Sequence, residues 1–322
     1  MNAAGEALVR LEDLSTTFAG QGRGAPRRFR AVDGVTLDIM PGEVLGLVGE
    51  SGSGKTTLAK TLLRLYRPSG GRILFRGADL ASLREGALKP YRRHLQMVFQ
   101  DPLSSFNPRH TVAESLSIPL LLHNVCPRAE IPRRVESILA GVGLPVAFGD
   151  RFPHELSGGQ LQRVAIGRAL TLSPRLLVAD EAVSKLDVSV RAQILNLLKD
   201  VQEANALSIL FITHDLHVAR YLCHRIAVMY FGVLVELGAT EQVFRAPRHP
   251  YTRALLGTLD DKLANASEAD PTTVPPSPMG CRYASRCPHA APRCADTQPP
   301  LETTPDGHAV ACYRWREVAP DE

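Results

Sequence analysis

The sequence predicts an α/β fold with a largely parallel sheet, a helical insertion and a small appended tail. Three observations predict it. Short apolar runs alternate with amphipathic helical patterns, the periodicity expected of strand–helix–strand units. Between Pro102 and Thr171 the strand signal gives way to helical spacing. After Asp261 the composition turns to Pro, Ser and Thr, with Pro271, Pro275, Pro276 and Pro278 marking a linker ahead of four cysteines.

The core strands are expected at Val44 to Val48, Gln96 to Phe99, Leu176 to Ala179, Ser208 to Thr213 and Ile226 to Tyr230. Helical spacing marks Val112 to Leu122, Arg133 to Val142 and Gln160 to Leu170, and no internal repeat is found. With 322 residues, 44% of them hydrophobic, the chain can bury one sizeable core and a smaller second one. The longest apolar run, Ile226 to Val235, falls short of the roughly 18 residues a membrane helix needs, so membrane association is expected only through a partner. Met1 to Arg10 lacks the basic and apolar regions of a secretory signal, and a cytosolic protein without disulfides is expected. A net charge of +4, with both signs mixed and no basic block, gives no push toward nucleic acid. Gly22 to Arg30 reads as a flexible loop.

Gly49-Glu50-Ser51-Gly52-Ser53-Gly54-Lys55-Thr56 follows the apolar strand Val44 to Val48 and opens the helical run Thr57 to Leu65. Such a loop turns successive N–H groups and a helix N-terminus toward phosphate; Lys55 reaches the terminal phosphates and the Thr56 hydroxyl takes a Mg²⁺ position. The alternative is a plain glycine-rich turn, against which motif and context agree. Leu176-Leu177-Val178-Ala179 then ends in Asp180 and Glu181. Taken alone this is a strand meeting solvent; beside a phosphate loop, Asp180 suits Mg²⁺ ligation and Glu181 suits the water that attacks a γ-phosphate.

Leu156-Ser157-Gly158-Gly159-Gln160, ahead of the helix Leu161 to Leu170, resembles the signature of ABC ATPases. With Gln100, Ser184-Lys185-Leu186-Asp187 and His214 in their expected order, Leu8 to Leu256 resembles that family's P-loop NTPase nucleotide-binding domain. The resemblance implies an inserted helical subdomain, an antiparallel β edge, and ATP and Mg²⁺ as ligands. It implies that Glu181, His214 and Gln100 are catalytic and that Thr56, Gln100 and Asp180 hold Mg²⁺. It implies that Gly49 to Thr57 bind nucleotide, and that Ser157, Gly158, Gly159, Gln160 and Asp187 meet ATP held by the opposite protomer. Phe18 stands where the family stacks an aromatic on adenine, with Phe29 as its rival. In place of the family's usual Pro-Thr and Ser-Ala-Leu-Asp the chain has Ala182-Val183 and Ser184-Lys185-Leu186-Asp187. That keeps the acids, adds a charge at the dimer seam and points to a partially asymmetric dimer.

Three further stretches, Gln100 to Arg109, His249 to Leu256 and the cysteine tail, resemble the ATPases of dipeptide, oligopeptide and nickel importers. That resemblance implies two membrane permease subunits, a second and non-identical ATPase subunit, and an indirect extracytoplasmic solute-binding protein. It implies a peripheral position on the cytoplasmic face of the membrane, with the stretch after Gln100 receiving a short helix of the permease. Dipeptide, oligopeptide, glutathione and nickel all stay open as cargo. A non-transport ABC ATPase would explain only the phosphate loop and signature, and a P-loop kinase would leave Leu156 to Gln160 unexplained.

Cys281, Cys287, Cys294 and Cys312 are spaced C-x5-C-x6-C-x17-C. Four thiolates suit Zn²⁺ or an iron–sulfur cluster, and free or redox-active thiols are the third possibility. The resemblance implies a [4Fe-4S] cluster. With few large apolar residues, the tail is expected to need such a staple, whereas Cys126 and Cys223 fall in helical patterns as packing residues. The expected divisions are 1–260 for the ATPase domain, with its helical subdomain at about 102–172, then 261–280 for the linker and 281–322 for the tail.

Overall fold

The apolar runs fold as strands over nearly the residues expected. The computed structural model describes residues 6–19, 28–257 and 279–318. In chain order its strands are β1 (Val9–Ala19), β2 (Arg28–Ile39), β3 (Val44–Val48), β4 (Gly70–Phe75), β5 (Ala78–Asp79), β6 (Leu95–Val98), β7 (Leu176–Asp180), β8 (Ser208–Thr213), β9 (Arg225–Tyr230), β10 (Val233–Ala239), β11 (Glu302–Thr303) and β12 (Ala309–Val310). Two compact units divide the chain: Met1–Ala7, Ile39–Glu43 and Ser82–Ile212 make the first, and Leu8–Asp38, Val44–Ala81 and Thr213–Glu322 the second.

In the first unit β6, β7 and β8 lie parallel, with Leu95 opposite Leu176 and Leu176 opposite Ser208. Every residue of β7 and β8 is buried, which explains why these strands read as unbroken apolar runs and not as alternating ones. The helical insertion follows its periodicity. Helix Val112–Leu122 starts at a capping box formed by Thr111 and Glu114 and buries Val112, Leu116 and Leu120, one stripe at four-residue spacing. Helix Ile131–Gly141 buries Ile131, Val135 and Leu139 in the same way. Helix Gly158–Leu170 buries Leu161, Val164, Ala165 and Ile166. A long helix, Val188–Asn205, adds Ile194, Leu198 and Val201 to this core.

In the second unit β3 pairs parallel with β9, β9 antiparallel with β10, and β10 antiparallel with β12. A separate sheet orders β2, β1, β4 and β5, with β1 and β5 antiparallel to β4. These are the antiparallel edges the resemblance implied. Cys223 is buried directly after helix Leu216–Leu222, and Cys126 is half-buried between helices, so neither sits inside a helix as its pattern suggested.

The tail is also attached in a way its sequence did not foretell: β12 extends the sheet at β10, Glu236 opposite Val310, and the Ala311 N–H donates to the Val235 carbonyl at 2.8 Å. Ala309, Val310 and Ala311 are buried. The wholly buried Glu236 carboxylate accepts from the Arg248 and His249 N–H groups at 2.7 and 2.9 Å and lies 2.7 Å from His308 Nε2. The sequence reading missed this because the strand is two residues long and its partner lies more than seventy residues back. No helix among the described residues is long and apolar enough to cross a membrane. The Pro-rich linker and the loop at 22–30 fall largely outside the described residues.

Candidate functional site

The phosphate loop of the second unit is built by β3 and the helix that follows it, Lys55–Leu62. The helix is preceded by Gly54 at φ 105°, a left-handed backbone that a side chain rarely adopts. A Cβ at Gly54 would stand 2.3 Å from the Ala31 carbonyl oxygen, and one at Gly49 would stand 2.2 Å from the Met229 carbonyl oxygen. Neither atom can yield, because both belong to neighbouring backbone. Lys55 Nζ is drawn inward, donating to the Gly49 and Glu50 carbonyls at 2.8 and 2.7 Å and to Ser53 Oγ at 3.2 Å. Ser51, Gly52 and Thr56 are exposed, and Thr57 is half-buried in the first turn. This is a concave loop with an amine at its centre and a helix start behind it, the arrangement that attracts an anion.

Contacts the sequence did not foretell hold that loop in place. The Gly232 N–H donates to the Ser53 carbonyl at 2.8 Å. The Glu50 N–H donates to the Tyr251 hydroxyl at 2.9 Å, and Arg286 Nη1 lies 3.2 Å from Glu50 Oε2. Tyr230, Tyr251 and Tyr283 form one aromatic cluster beneath, their ring centroids 4.5 to 5.5 Å apart. Burial pushes the phenols of Tyr251 and Tyr283 up, the latter to about 12, which keeps both neutral. No local motif foretells these contacts, which join segments some two hundred residues apart.

Two of the three hydrolytic candidates, Gln100 and Glu181, lie in the first unit. Because β6 and β7 are parallel and in register, Val98 opposite Ala179, their C-terminal ends align. Gln100 and Glu181 leave those ends side by side, and Gln100 Nε2 donates to Glu181 Oε2 at 2.7 Å. Glu181 has φ 46°, a left-handed conformation costing about 1–3 kcal/mol in a non-glycine residue. It is over-determined: its N–H donates to the Ile212 carbonyl at 3.0 Å, and its own carbonyl accepts from Ser184 Oγ at 3.0 Å. Asp180, one residue earlier, is buried. Ala182 and Val183, where the resemblance led one to expect proline and threonine, pack as buried side chains.

The signature forms a capped helix start in the same unit. Ser157 Oγ accepts from the Gln160 N–H at 3.3 Å, and Gln160 Oε1 accepts from the Ser157 N–H at 3.0 Å. Ser157 and Gly158 are exposed at this N-terminus. Gly159 is required by packing, since a Cβ there would fall 2.3 Å from Val190 Cγ1. Asp187 is the cap of Val188–Asn205 and is exposed. The stretch after Gln100 is tied to the signature helix by Arg168, which donates to the Ser105 carbonyl and hydroxyl at 2.7 and 2.8 Å and lies 4.1 Å from the Phe106 ring centre. Leu103, Ile118, Leu121 and Leu122 remain exposed in this unit.

His214 belongs to the second unit, exposed between β8 and a helix whose cap, Asp215, accepts from the His217 and Val218 N–H groups. Phe18, 38% exposed, packs edge-on to Tyr66 at 5.3 Å, and its rival Phe29 is 56% exposed. In the tail, burial raises the thiols of Cys281, Cys287 and Cys312, the last to about 11, and the neighbouring thiols push each one further up. The four thiols therefore gather in one neighbourhood. Yet among the described residues no group of three or more His, Cys, Asp or Glu takes a metal-holding arrangement. The iron–sulfur expectation gains no support from these side chains.

Residues 32–184 match the family model described as "ABC transporter", and residues 235–294 match that described as "Oligopeptide/dipeptide transporter, C-terminal region". The oligopeptide transport ATP-binding protein AppF of Bacillus subtilis is 42% identical over 324 residues, covering 96% of this chain and 98% of AppF. Among solved structures, the ATP-binding cassette MJ0796, a dimer in a post-hydrolysis state with ADP and Pi, aligns at a TM-score of 0.65 and 30% identity. That alignment covers 72% of this chain and 98% of the cassette. CbiO1 from Clostridium perfringens, part of the ABC transporter complex cbiONQ, aligns at a TM-score of 0.64 and 30% identity over 74% and 90% of the two chains.

Proposed function

This chain belongs to the ABC transporter ATP-binding proteins, in their oligopeptide and dipeptide transport group, and from that premise we propose how it hydrolyses ATP to energise peptide import. The Gln100–Glu181 pair at aligned strand ends carries the proposal. Glu181, held in a fixed and strained backbone, is the base for the attacking water, and Gln100 orients that water and the metal. Lys55 and the N–H groups of Gly49, Ser51, Gly52, Gly54, Thr56 and Thr57 cradle the phosphates, while Glu50 and Ser53, whose N–H groups donate to the Tyr251 hydroxyl and the Glu50 carbonyl, shape the loop. The donor set fits Mg²⁺, because the Thr56 hydroxyl, the Gln100 amide and the buried Asp180 carboxylate are hard oxygen ligands. The ion supplies charge neutralisation on the phosphates. His214 contacts the γ-phosphate, and Phe18 stacks on adenine.

The exposed helix start at Ser157 to Gln160, with Asp187, closes on nucleotide held by a second ATPase subunit, which this reading takes as non-identical. The exposed Leu103, in the stretch that Arg168 ties to the signature helix, and the exposed Ile118, Leu121 and Leu122 fit the docking of a short helix of one of two permease subunits. The chain then sits peripherally on the cytoplasmic face, fed indirectly by a solute-binding protein and without nucleic acid. The ATPase domain is assigned to 1–260, the helical subdomain to about 102–172, the linker to 261–280 and the tail to 281–322. For the tail, the proposal is that Cys281, Cys287, Cys294 and Cys312 take up a [4Fe-4S] cluster. Four cysteines within one short tail motivate it, and metal analysis of protein purified without oxygen decides it: about four irons per chain for the cluster, and none against it.

The function itself is tested by reconstituting the chain with its permeases and partner ATPase in vesicles. Peptide with its binding protein is expected to raise ATP hydrolysis and to enter the vesicles only when ATP is present. Hydrolysis indifferent to peptide but responsive to nickel would move the cargo to the alternative reading.

A further inference from the structure

The acidic residue inside the phosphate loop needs an explanation. Glu50 is the second residue of a loop built to hold a polyanion, and a bare carboxylate there would repel the phosphates. It is not bare. Arg286, from the tail, places Nη1 3.4 and 3.2 Å from the two Glu50 carboxylate oxygens. Its side chain is 17% exposed and that of Glu50 30%, so water screens the pair only in part.

Arg286 is itself fixed. It ends a short turn, Ala284–Arg286, whose N–H groups run back along the tail: Ala284 to the Cys281 carbonyl, Arg286 to the Tyr283 carbonyl, and Cys281 to the Cys294 carbonyl at 2.7 Å. Tyr283 is buried against Tyr230 and Tyr251, and the Tyr251 hydroxyl receives the Glu50 N–H. A second arginine, Arg282, just ahead of that turn, pairs with Asp33 at 2.5 Å. Both acids are therefore reached from one tail segment by arginines four residues apart.

We propose that Arg286 is a positioning residue for the phosphate site, neutralising and holding Glu50 so that the loop presents an unopposed positive field to ATP. This rests on the reading of Gly49 to Thr57 as the ATP phosphate loop. Through it the tail, which adds no group to the reaction, sets the affinity for nucleotide. The sign of each substitution follows. Removing Arg286 leaves a negative charge beside the triphosphate; removing the Glu50 charge relieves the loop of its need for Arg286.

The test is steady-state ATP hydrolysis by the full chain in its assembled complex, with Mg-ATP varied, for Arg286→Met, Arg286→Lys, Glu50→Gln and the double Arg286→Met, Glu50→Gln variant. Arg286→Met is expected to raise KM for ATP about tenfold with kcat little changed, by the size of coupling common between contacting charges. Arg286→Lys keeps the charge and should stay near wild type. In the double variant, with Glu50→Gln alone as its reference, loss of the Glu50 charge should undo most of the Arg286→Met defect. Raising ionic strength from 0.1 to 0.5 M, which shortens the screening length by roughly half, should narrow the Arg286→Met defect. A double variant as impaired as Arg286→Met, or an Arg286→Met enzyme with unchanged KM, overturns the proposal. Lys55→Ala, run alongside, separates the two readings: if it too leaves KM unchanged, the phosphate-loop assignment has failed, and if it alone raises KM, only the role of Arg286 has. Should Arg286→Met not fold, Arg286→Gln takes its place: rescue of its KM defect by Glu50→Gln supports the proposal, and a defect that persists in the double variant overturns it.

Discussion

The adjacent glycines Gly158 and Gly159 look alike in sequence and differ in what surrounds them. A Cβ at Gly158 finds its nearest atom, Leu186 Cδ2, at 3.8 Å, whereas one at Gly159 collides with Val190 Cγ1 at 2.3 Å. Gly158→Ala is therefore expected to fold with wild-type thermal stability. Gly159→Ala should lose about 1–3 kcal/mol, seen as a lower midpoint in thermal or urea unfolding. Equal stabilities for the two variants would show that the two helices can part without cost. Residues of this kind mark the limit of sequence reading at the smallest scale. Gly49 to Thr56, Asp180 and Glu181 could be singled out as candidates because phosphate chemistry fixes their types and order, and Gln100 through the family resemblance. Arg286, Tyr251 and Gly232 were not, because nothing local to them records that they brace a loop far away in the chain.

Elements whose burial is regular were read almost to the residue: β3 and β8, and the helix Val112–Leu122, fall where periodicity put them. The helix Val188–Asn205 was passed over, because most of its first two turns is exposed and its buried stripe begins only at Ile194. Strand β12 was invisible, being two residues long and defined by its partner. Two elements carry predictions. Arg168 joins the stretch after Gln100 to the signature helix through two hydrogen bonds and a ring contact, and burial lowers its pKa without neutralising it. Arg168→Ala should cost about 2–4 kcal/mol of stability, since the Ser105 carbonyl loses a charged donor and the Phe106 ring its cation. Arg168→Lys should recover only part, lacking the fork that reaches both Ser105 oxygens. At β10, His249 is buried beside Glu236, its Nδ1 accepts the Tyr251 N–H at 3.0 Å, and burial depresses its pKa from 6.5 to about 4. A depressed pKa means the folded state binds the proton less readily than the unfolded chain. Its contribution is thus whole above pH 6.5 and lost as pH falls toward 4, by on the order of 3 kcal/mol. Urea unfolding at pH 7 and pH 4.5 measures it, and His249→Gln should reduce the difference; a His249→Gln enzyme with the same pH slope would contradict this cause.

At the scale of the whole molecule, the fold class, the helical insertion and the family were all legible, because each rests on patterns that recur along tens of residues. How the tail is attached was not, since it depends on a buried carboxylate and a strand pairing between distant segments. The central claim is that this chain is an ATPase whose hydrolytic base is Glu181, poised by Gln100 at the ends of two aligned strands. Glu181→Gln tests it most directly, because the amide keeps the size of the side chain and removes only its capacity to take a proton. In the assembled complex, ATP affinity and phosphate release are measured on the same preparation. The account predicts that Glu181→Gln binds ATP as wild type does while turnover falls below about a tenth. Turnover above that level with binding intact would contradict it and remove Glu181 from the chemistry.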